Sequence, residues 1–350
     1  MSKKTKARKQ RLNSMLMILL LTAVLLVMST YAWFTANRTV KIDNLEVNVA
    51  TSSGLQISVD GINWKTVLEK NDLVDAYETN SKSINQLPSI MAPVSTAGNL
   101  DSAGYLEMFY GNVTTDLTVG SQTYGEYLLT TTKQTDKASN TVTAEELQAN
   151  QYAKGYYMAF DVFFKVETVG ANDHFYMSGT VTDKSTKGLD NAARIAIVKG
   201  KTPATIGSDK DTIQSLSTKD GKVTIWEPNA NTHTINGVNN AAALGWGTLS
   251  TGDNNTTVKY SGASAAASNI VLNKATATDN GSYFAEVTTK DTKKADTANV
   301  QLDDLSAGIT KCRIYLWVEG QDVDCENNAS GTDIVYNLSF SLDSFVQQGS

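Results

Sequence analysis

The sequence predicts an all-β protein, an antiparallel β-sandwich with long loops and short helices that follows an N-terminal signal helix. Several segments alternate apolar and polar residues with a period of two, which is typical of half-buried strands. The densest apolar segment of the body, Tyr156 to Val166, is rich in aromatic and β-branched residues, and we expect a central strand buried on both faces there. Because strand-like segments lie near both ends of the body, the sandwich is expected to close on itself.

A basic head and an apolar stretch begin the chain. Residues 3–11 carry six Lys and Arg residues and no acidic residue, and the apolar run from Met15 to Met28 is interrupted only by Thr22. Small residues at Thr30 and Ala32 complete the three-part pattern of a secretory signal. We therefore predict a signal peptide over residues 1–32.

Signal peptidase is expected to cut between Ala32 and Trp33, which predicts a secreted protein, extracellular or attached to the cell surface. The alternative is a retained membrane anchor, because residues 15–34 are just long enough to span a bilayer of about 30 Å. In that case the uncleaved N-terminal segment would be the only membrane contact that we expect.

The composition of the body argues against several classes of function. The whole chain has a net charge of −6, and because the head carries six positive charges the remainder carries −12. Such a body is a poor partner for nucleic acid. The only histidines, His174 and His233, lie in no H-E-x-x-H motif, and neither a nucleophile elbow nor a phosphate-binding loop is present. We predict a protein that is not an enzyme; a secreted hydrolase using a carboxylate pair is the remaining catalytic alternative.

Residues 33–50 are predicted to form an N-terminal strand. The apolar positions nearly alternate with polar ones, and a slip at Asp43-Asn44 suggests a bulge. They are Val40, Ile42, Leu45, Val47 and Val49. Alternation resumes over residues 55–59, and Asp60-Gly61 then predicts a hairpin turn.

Residues 51–350 are predicted to form one sandwich domain with a polar elaboration at about 200–300. Further strands are expected at 127–132, 175–181, 192–198, 223–227, 312–319 and 334–342. A capping box at Thr143 to Glu146 predicts a short helix, and Asn236-Gly237 predicts a turn in the elaboration. A second small β-domain at 200–300 is the alternative, since long structureless loops are uncommon in compact domains.

The C-terminal strand Cys312 to Glu319 has two distinct faces. Cys312, Ile314, Leu316 and Val318 share one face, and Arg313, Tyr315, Trp317 and Glu319 share the other. Cys325 follows in the connection to the next strand. In an exported chain such an isolated cysteine pair predicts a disulfide between Cys312 and Cys325.

An acidic cluster follows this strand. Its members are Glu319, Asp322, Asp324 and Glu326. Carboxylates concentrated in one loop are ligands that calcium prefers, although the spacing is not that of an EF-hand loop. A solvated acidic hairpin tip is the simpler interpretation, and apart from calcium we expect no cofactor.

The junction Thr30-Tyr31-Ala32-Trp33-Phe34 and the segment that follows it resemble the TasA/camelysin family of secreted biofilm-matrix fibre proteins of Gram-positive bacteria. The C-terminal block 313–343 is similar to the closing strands of related surface proteins. The resemblance covers about 30 residues at each end of the chain. The metalloprotease activity ascribed to camelysins is not carried over, because the H-E-x-x-H motif is absent.

This resemblance implies a jelly-roll sandwich and a homo-oligomer that assembles head to tail into fibres. In the family the mature N-terminal segment is a donor strand that enters the next subunit, a form of β-augmentation. Here the donor residues would be Trp33, Phe34, Val40, Ile42, Leu45, Val47 and Val49. The alternative is a monomeric cell-surface adhesin or carbohydrate-binding sandwich that uses Trp226 or Trp246 as a stacking platform.

Overall fold

The computed structural model is β-rich and carries few, short helices. It describes residues 15, 40–50, 54–113, 127–132, 154–170, 174–230, 232–243, 262–263, 270–272, 284–285, 291–294, 299–320, 322–325 and 331–342. The first nine strands are β1 (Val40–Val49), β2 (Gln56–Ser58), β3 (Val67–Glu69), β4 (Ile90–Met91), β5 (Met108–Val113), β6 (Tyr127–Thr132), β7 (Lys154–Gly155), β8 (Met158–Val166) and β9 (Tyr176–Asp183). The others are β10 (Ala193–Lys199), β11 (Lys222–Glu227), β12 (Gly262–Ala263), β13 (Ile270–Leu272), β14 (Phe284–Ala285), β15 (Asp291–Lys294), β16 (Val300–Gln301), β17 (Gly308–Val318) and β18 (Thr332–Ser341). The helices are α1 (Lys70–Val74), α2 (Ala76–Thr79), α3 (Lys210–Gln214) and α4 (Ile235–Ala243), with a 3₁₀ turn at Leu189–Ala192.

Two large sheets dominate the described part of the chain. The seven-stranded sheet has the order β16-β9-β18-β1-β4-β7, with β3 also paired to β1, and the six-stranded sheet has the order β15-β11-β10-β17-β8-β2. Smaller sheets join β13, β6 and β5, and join β12 to β14.

The sheets are mixed, which corrects the prediction of an antiparallel β-sandwich. Strand β1 runs parallel to β18, β4 runs parallel to β7, and β11 runs parallel to β15. Parallel partners need a long crossover between them, and β1 and β18 lie almost 300 residues apart, as their bounds show. The alternation of side chains is the same in both kinds of sheet, so the sequence pattern does not distinguish them.

The two large sheets share one hydrophobic core. Phe164 of β8, in the six-stranded sheet, has its ring centroid 5.0 Å from that of Phe340 in β18, in the seven-stranded sheet, and 5.1 Å from that of Phe175. The apolar face of β17 that the sequence predicts, from Cys312 to Val318, points into this core. The arrangement is compatible with a β-sandwich.

The outer face of the six-stranded sheet is also buried. Tyr315 and Trp317 of β17 pack there against Val94, Leu106 and Met108, which belong to the segment that crosses this face. This cover explains why β8 is apolar at nearly every position. The prediction that Tyr156 to Val166 contains a strand buried on both faces is confirmed.

Two local predictions near the N-terminus are confirmed. The register between β1 and β18 shifts between Ile42 and Asn44, so one extra residue keeps the apolar side chains on both sides of the shift facing inward. At the predicted hairpin turn, Asp60 Oδ1 accepts hydrogen bonds of 2.8 Å from the backbone N–H groups of Ile62 and Asn63. Gly61 adopts a left-handed φ of +74° there.

The elaboration at 200–300 adds β11 and β15 to one side of the six-stranded sheet. Strand β15 pairs with β11 from Thr224↔Asp291 to Glu227↔Lys294. Where a turn is predicted at Asn236-Gly237, the structure has helix α4 instead. Among the described residues no helix has the length and apolarity needed to cross a bilayer.

Candidate functional site

The N-terminal strand β1 lies inside its own sheet. It pairs with β18 from Val40↔Thr332 to Val49↔Phe340, and on its other side it pairs with only short stretches of β3 and β4. Its five apolar side chains are 0–6% exposed and belong to the core between the two large sheets. Their burial stabilises the fold by an amount on the order of 10 kcal/mol. The strand is therefore part of the core and not an appended tail.

The opposite face of β1 is polar and accessible. Lys41 and Asn44 are exposed, while Glu46 and Asn48 are half-buried and joined by a hydrogen bond of 2.9 Å from Asn48 Nδ2 to Glu46 Oε1. These outward positions are free of core packing, so they can be altered without opening the core.

A second feature is a buried cluster of charges, which we call the carboxylate cluster. Its members are Glu227, Glu319, Asp322, Asp324, Arg194 and His233. The three loop carboxylates of the predicted acidic tip are at most 2% exposed. For these three residues the interpretation as a solvated tip is therefore wrong, because the loop folds onto Arg194 near the start of β10.

Arg194 lies at the centre of this cluster. Its Nη2 donates to Glu227 Oε1 at 2.7 Å and to Asp322 Oδ2, and its Nη1 donates to the carbonyl oxygens of Asn191 and Ala193 at 3.1 and 3.0 Å. Burial lowers the pKa of the guanidinium, but the attraction of Glu227 and Asp322 outweighs it, and the net pKa lies above the usual value. Arg194 therefore remains a permanent cation.

Asp324 connects the cluster to the start of helix α4. Its Oδ2 lies 2.9 Å from His233 Nδ1, and its Oδ1 accepts from the backbone N–H and the hydroxyl of Thr234, each at 2.8 Å. The backbone N–H of Asp324 donates to Asp322 Oδ1 at 2.9 Å. A Cβ at Gly237 would lie 2.3 Å from Asp324 Oδ1, so the close approach requires glycine. This packing explains why glycine occupies position 237 of helix α4.

The environment raises the pKa of both His233 and Asp324. Burial lowers the pKa of His233, but its hydrogen bond with Asp324 and the charges of Asp322 and Glu227 raise it above the usual value. Burial raises the pKa of Asp324, and the nearby Asp322 carboxylate acts in the same direction against the opposing bonds from His233 and Thr234. Both His233 and Asp324 thus bind a proton more tightly than they do in the unfolded chain.

The structure also shows how the proposed calcium ligands are engaged. Asp322 accepts from Arg194, Asp324 accepts from Thr234, and Glu319 Oε2 accepts from the Trp317 indole N–H at 3.2 Å. Across the described residues, no group of three or more His, Cys, Asp or Glu side chains is arranged to hold a metal ion. Glu326 lies outside those residues, and calcium binding stays a prediction.

A third feature is a buried ion pair that was not predicted from the sequence. Arg313 Nη1 donates to Asp161 Oδ1 at 2.6 Å, and Lys311 Nζ lies 2.9 Å from Asp161 Oδ2. Arg313 Nη2 also donates to the carbonyl of Ile84 at 3.0 Å, and Tyr315 OH accepts from the N–H of Leu106 at 3.0 Å. These bonds fasten the segment across the outer face of the six-stranded sheet. The sequence signal that could have predicted this ion pair is Asp161, an acidic residue within the long apolar strand β8.

Cys312 and Cys325 are both buried thiols, and no disulfide joins them, which corrects the predicted pair. Backbone bonds from Asp322 N to Glu319 O and from Cys325 N to Asp322 O keep Cys325 near the end of β17. Cys312 lies six residues back along the strand, about 20 Å from that end, whereas a disulfide needs Cα atoms about 4.4–6.8 Å apart.

This arrangement predicts the reactivity of the thiols. Burial raises the pKa of Cys312 to about 12, which suppresses its thiolate. We expect a thiol reagent to modify neither cysteine in the native protein and both in the denatured, unreduced protein. A denatured sample with no reactive thiol would show instead that the disulfide forms.

Several predicted residues lie outside the described residues. They are Ala32, Trp33, Phe34, Trp246, Glu326 and the capping box at 143–146, and of the signal segment only the helical Met15 is described. Trp226 is described and is 1% exposed, so it does not serve as a stacking platform for a carbohydrate.

The fold and these sites define a β-rich protein whose two large sheets share a core and in which the ion pairs of Arg194 and Arg313 are buried. Comparison with known proteins finds no matching family model, no matching curated protein and no matching solved structure.

Proposed function

We propose that this chain is a non-catalytic extracellular structural protein, a subunit of a surface or biofilm-matrix fibre that assembles by exchange of its N-terminal strand. The observation that carries the proposal is the placement of β1. Among the strands that the structure describes, β1 is the first in the chain and pairs along its length with the last, and it supplies five buried side chains to the core.

Exchange of such a strand requires no new interface. A β1 strand from a neighbouring copy would make the same hydrogen bonds to β18 and the same core contacts, which is the physical basis of domain swapping. If each copy donates its strand to the next copy and receives one from the copy before it, the contact is head to tail and does not close, so a filament forms rather than a reciprocally swapped dimer. A jelly-roll sandwich and removal of the signal segment at Ala32-Trp33 belong to the same proposal.

The resemblance of the signal junction to the TasA/camelysin family supports this function, as does the predicted export. Cleavage would free the chain end that precedes β1. The pairing of β1 with short β3 and β4 on one side also supports it, because few hydrogen bonds must break there before the strand can leave its own sheet.

A cysteine cross-link tests the proposal directly. Asn48 and Ser339 are paired neighbours on β1 and β18, and both are half-buried on the outer face. Neighbouring strands lie about 4.8 Å apart, which suits a disulfide. In the mature N48C/S339C variant, exchanged strands are expected to give covalent ladders on a non-reducing gel after oxidation.

The single variants N48C and S339C control for random cross-linking, and both are expected to remain free of ladders. The cross-linking is carried out on concentrated protein that is also examined for filaments by electron microscopy. If only cross-linked monomers form, β1 stays in its own chain. That result would favour a monomeric surface protein.

A further inference from the structure

The structure assigns to the facing carboxylates of Glu46 in β1 and Glu69 in β3 control over the rate at which β1 leaves its own sheet. Their repulsion weakens the contact between β1 and β3, so β1 is released faster than it would be from a neighbour of matching charge. The link to strand exchange rests on the proposed function, whereas the weakness of the β1–β3 contact can be measured in the single subunit.

The register of the two strands places the carboxylates opposite each other. Strand β1 pairs antiparallel with β3 over three residues, and one of these pairs is Glu46↔Glu69. The backbone N–H of Val49 donates to the carbonyl of Thr66 at 2.8 Å. Because hydrogen-bonded pairs alternate along an antiparallel ladder, Glu46 and Glu69 form a non-hydrogen-bonded pair, the kind in which the Cα atoms lie only about 4.5 Å apart.

Both carboxylates lie on the outer face of the seven-stranded sheet. Glu46 is half-buried and accepts the hydrogen bond from Asn48 Nδ2, and Glu69 is exposed. Lys65, four residues before Glu69, pairs with Asp72 of α1 instead. Among the residues that the structure describes, no Lys, Arg or His forms an ion pair with either glutamate. The two like charges therefore repel each other, with solvent at Glu69 reducing the effect.

The other side of β1 is better matched in charge. Along β18, Lys41 is paired in register with Asp333, and Glu46 is paired with the uncharged Asn337. Opposite charges on facing strands are favourable, whereas like charges directly opposite each other are destabilising. The charges of β1 therefore favour its contact with β18 and oppose its contact with β3.

The repulsion acts on the rate of strand exchange and not on its end point. The Glu46–Glu69 pair exists in the closed subunit, and it forms again when β1 of one copy enters the next, because the exchanged strand makes the same contacts. The pair is absent only in the open state between these two. A repulsion present in both end states raises their free energies equally and lowers the barrier that separates them.

Hydrogen–deuterium exchange of the full mature chain, kept dilute, tests the weakened contact. The E46Q variant removes the charge but keeps an acceptor for Asn48, and protection of the Val49 amide is expected to rise about twofold. In E46K the ammonium faces Glu69, and the expected rise is about fivefold. Unchanged protection in both variants would overturn the inference.

The matched control is N44K. It makes the same change in net charge as E46Q on the outer face of β1, but position 44 lies outside the stretch that pairs with β3. Protection of the Val49 amide in N44K is therefore expected to equal that of the wild type. A rise as large as that in E46Q would show a general effect of charge and would overturn the inference.

A double-mutant cycle isolates the pair itself. In an E69Q background, the E46Q change is expected to leave protection unaltered, because the repulsion has already been removed. An equal rise in both backgrounds would show that Glu46 acts without Glu69, which would also overturn the inference.

The growth of filaments, followed by light scattering, tests the link to strand exchange. Filaments of E46Q are expected to grow about twofold more slowly than those of N44K, which has the same net charge, and to reach the same plateau. Equal growth rates, despite raised protection in E46Q, would overturn the link. If neither protein forms filaments while protection still rises in E46Q, the fibre function is contradicted, and the control of β1 release by this pair stands.

Discussion

Replacing Arg194 by methionine is expected to lower the free energy of unfolding by about 3–5 kcal/mol at pH 7, the usual cost of breaking a buried ion pair from one side. Methionine preserves the length of the side chain but removes the guanidinium that Glu227 and Asp322 both contact. Urea unfolding followed by tryptophan fluorescence measures the loss. The matched control is K222M, because Lys222 is 54% exposed and pairs with Asp303 at the surface, where such a pair contributes at most about 1 kcal/mol.

The pH dependence of this variant separates a charge effect from a packing effect. At about pH 5 the buried carboxyls of the variant can take up protons at less cost, so the difference from the wild type is expected to shrink. A loss no larger than that of K222M, or a large loss that is the same at both pH values, would show that Arg194 does not balance the carboxylate cluster.

Replacing Leu45 by aspartate is expected to expel β1 from the sheet. Leu45 is fully buried in the middle of the strand, and a carboxylate placed there without a partner costs several kcal/mol. The change should therefore remove both the stability of the isolated subunit, measured by thermal unfolding, and the filaments, measured by electron microscopy. The control is N44D at an exposed position on the outer face of the same strand, which is expected to change stability by less than about 0.5 kcal/mol.

A synthetic peptide of residues 33–50 completes this experiment. Added to the L45D protein, it is expected to occupy the place beside β18 and restore the thermal transition, because the acceptor surface is unchanged. Filaments should stay absent, since the donor strand of every copy carries the substitution. Normal filaments formed by L45D alone would contradict strand exchange.

The local elements of this protein follow from its sequence. Alternation assigned the two faces of β17, and the density of aromatic and β-branched residues assigned β8, because side chains on a strand must point to opposite sides and each face here is buried. The turn at Asp60-Gly61 could be predicted because its hydrogen bonds join near neighbours. The register shift in β1 could also be predicted, since one inserted residue changes the spacing of apolar positions.

The partners of these elements were decided by the tertiary structure. The sequence does not indicate that β1 runs parallel to β18, because alternation carries no direction. The sequence of the acidic loop predicts a solvated tip, but in the structure the loop packs on Arg194, which lies more than 100 residues earlier in the chain. The dipeptide Asn236-Gly237 predicts a turn, but in the structure it lies in helix α4, where Asp324 approaches so closely that only glycine fits at position 237. In each case the deciding contact joins residues that are distant in the chain, and the free energy of that contact outweighs the local preference.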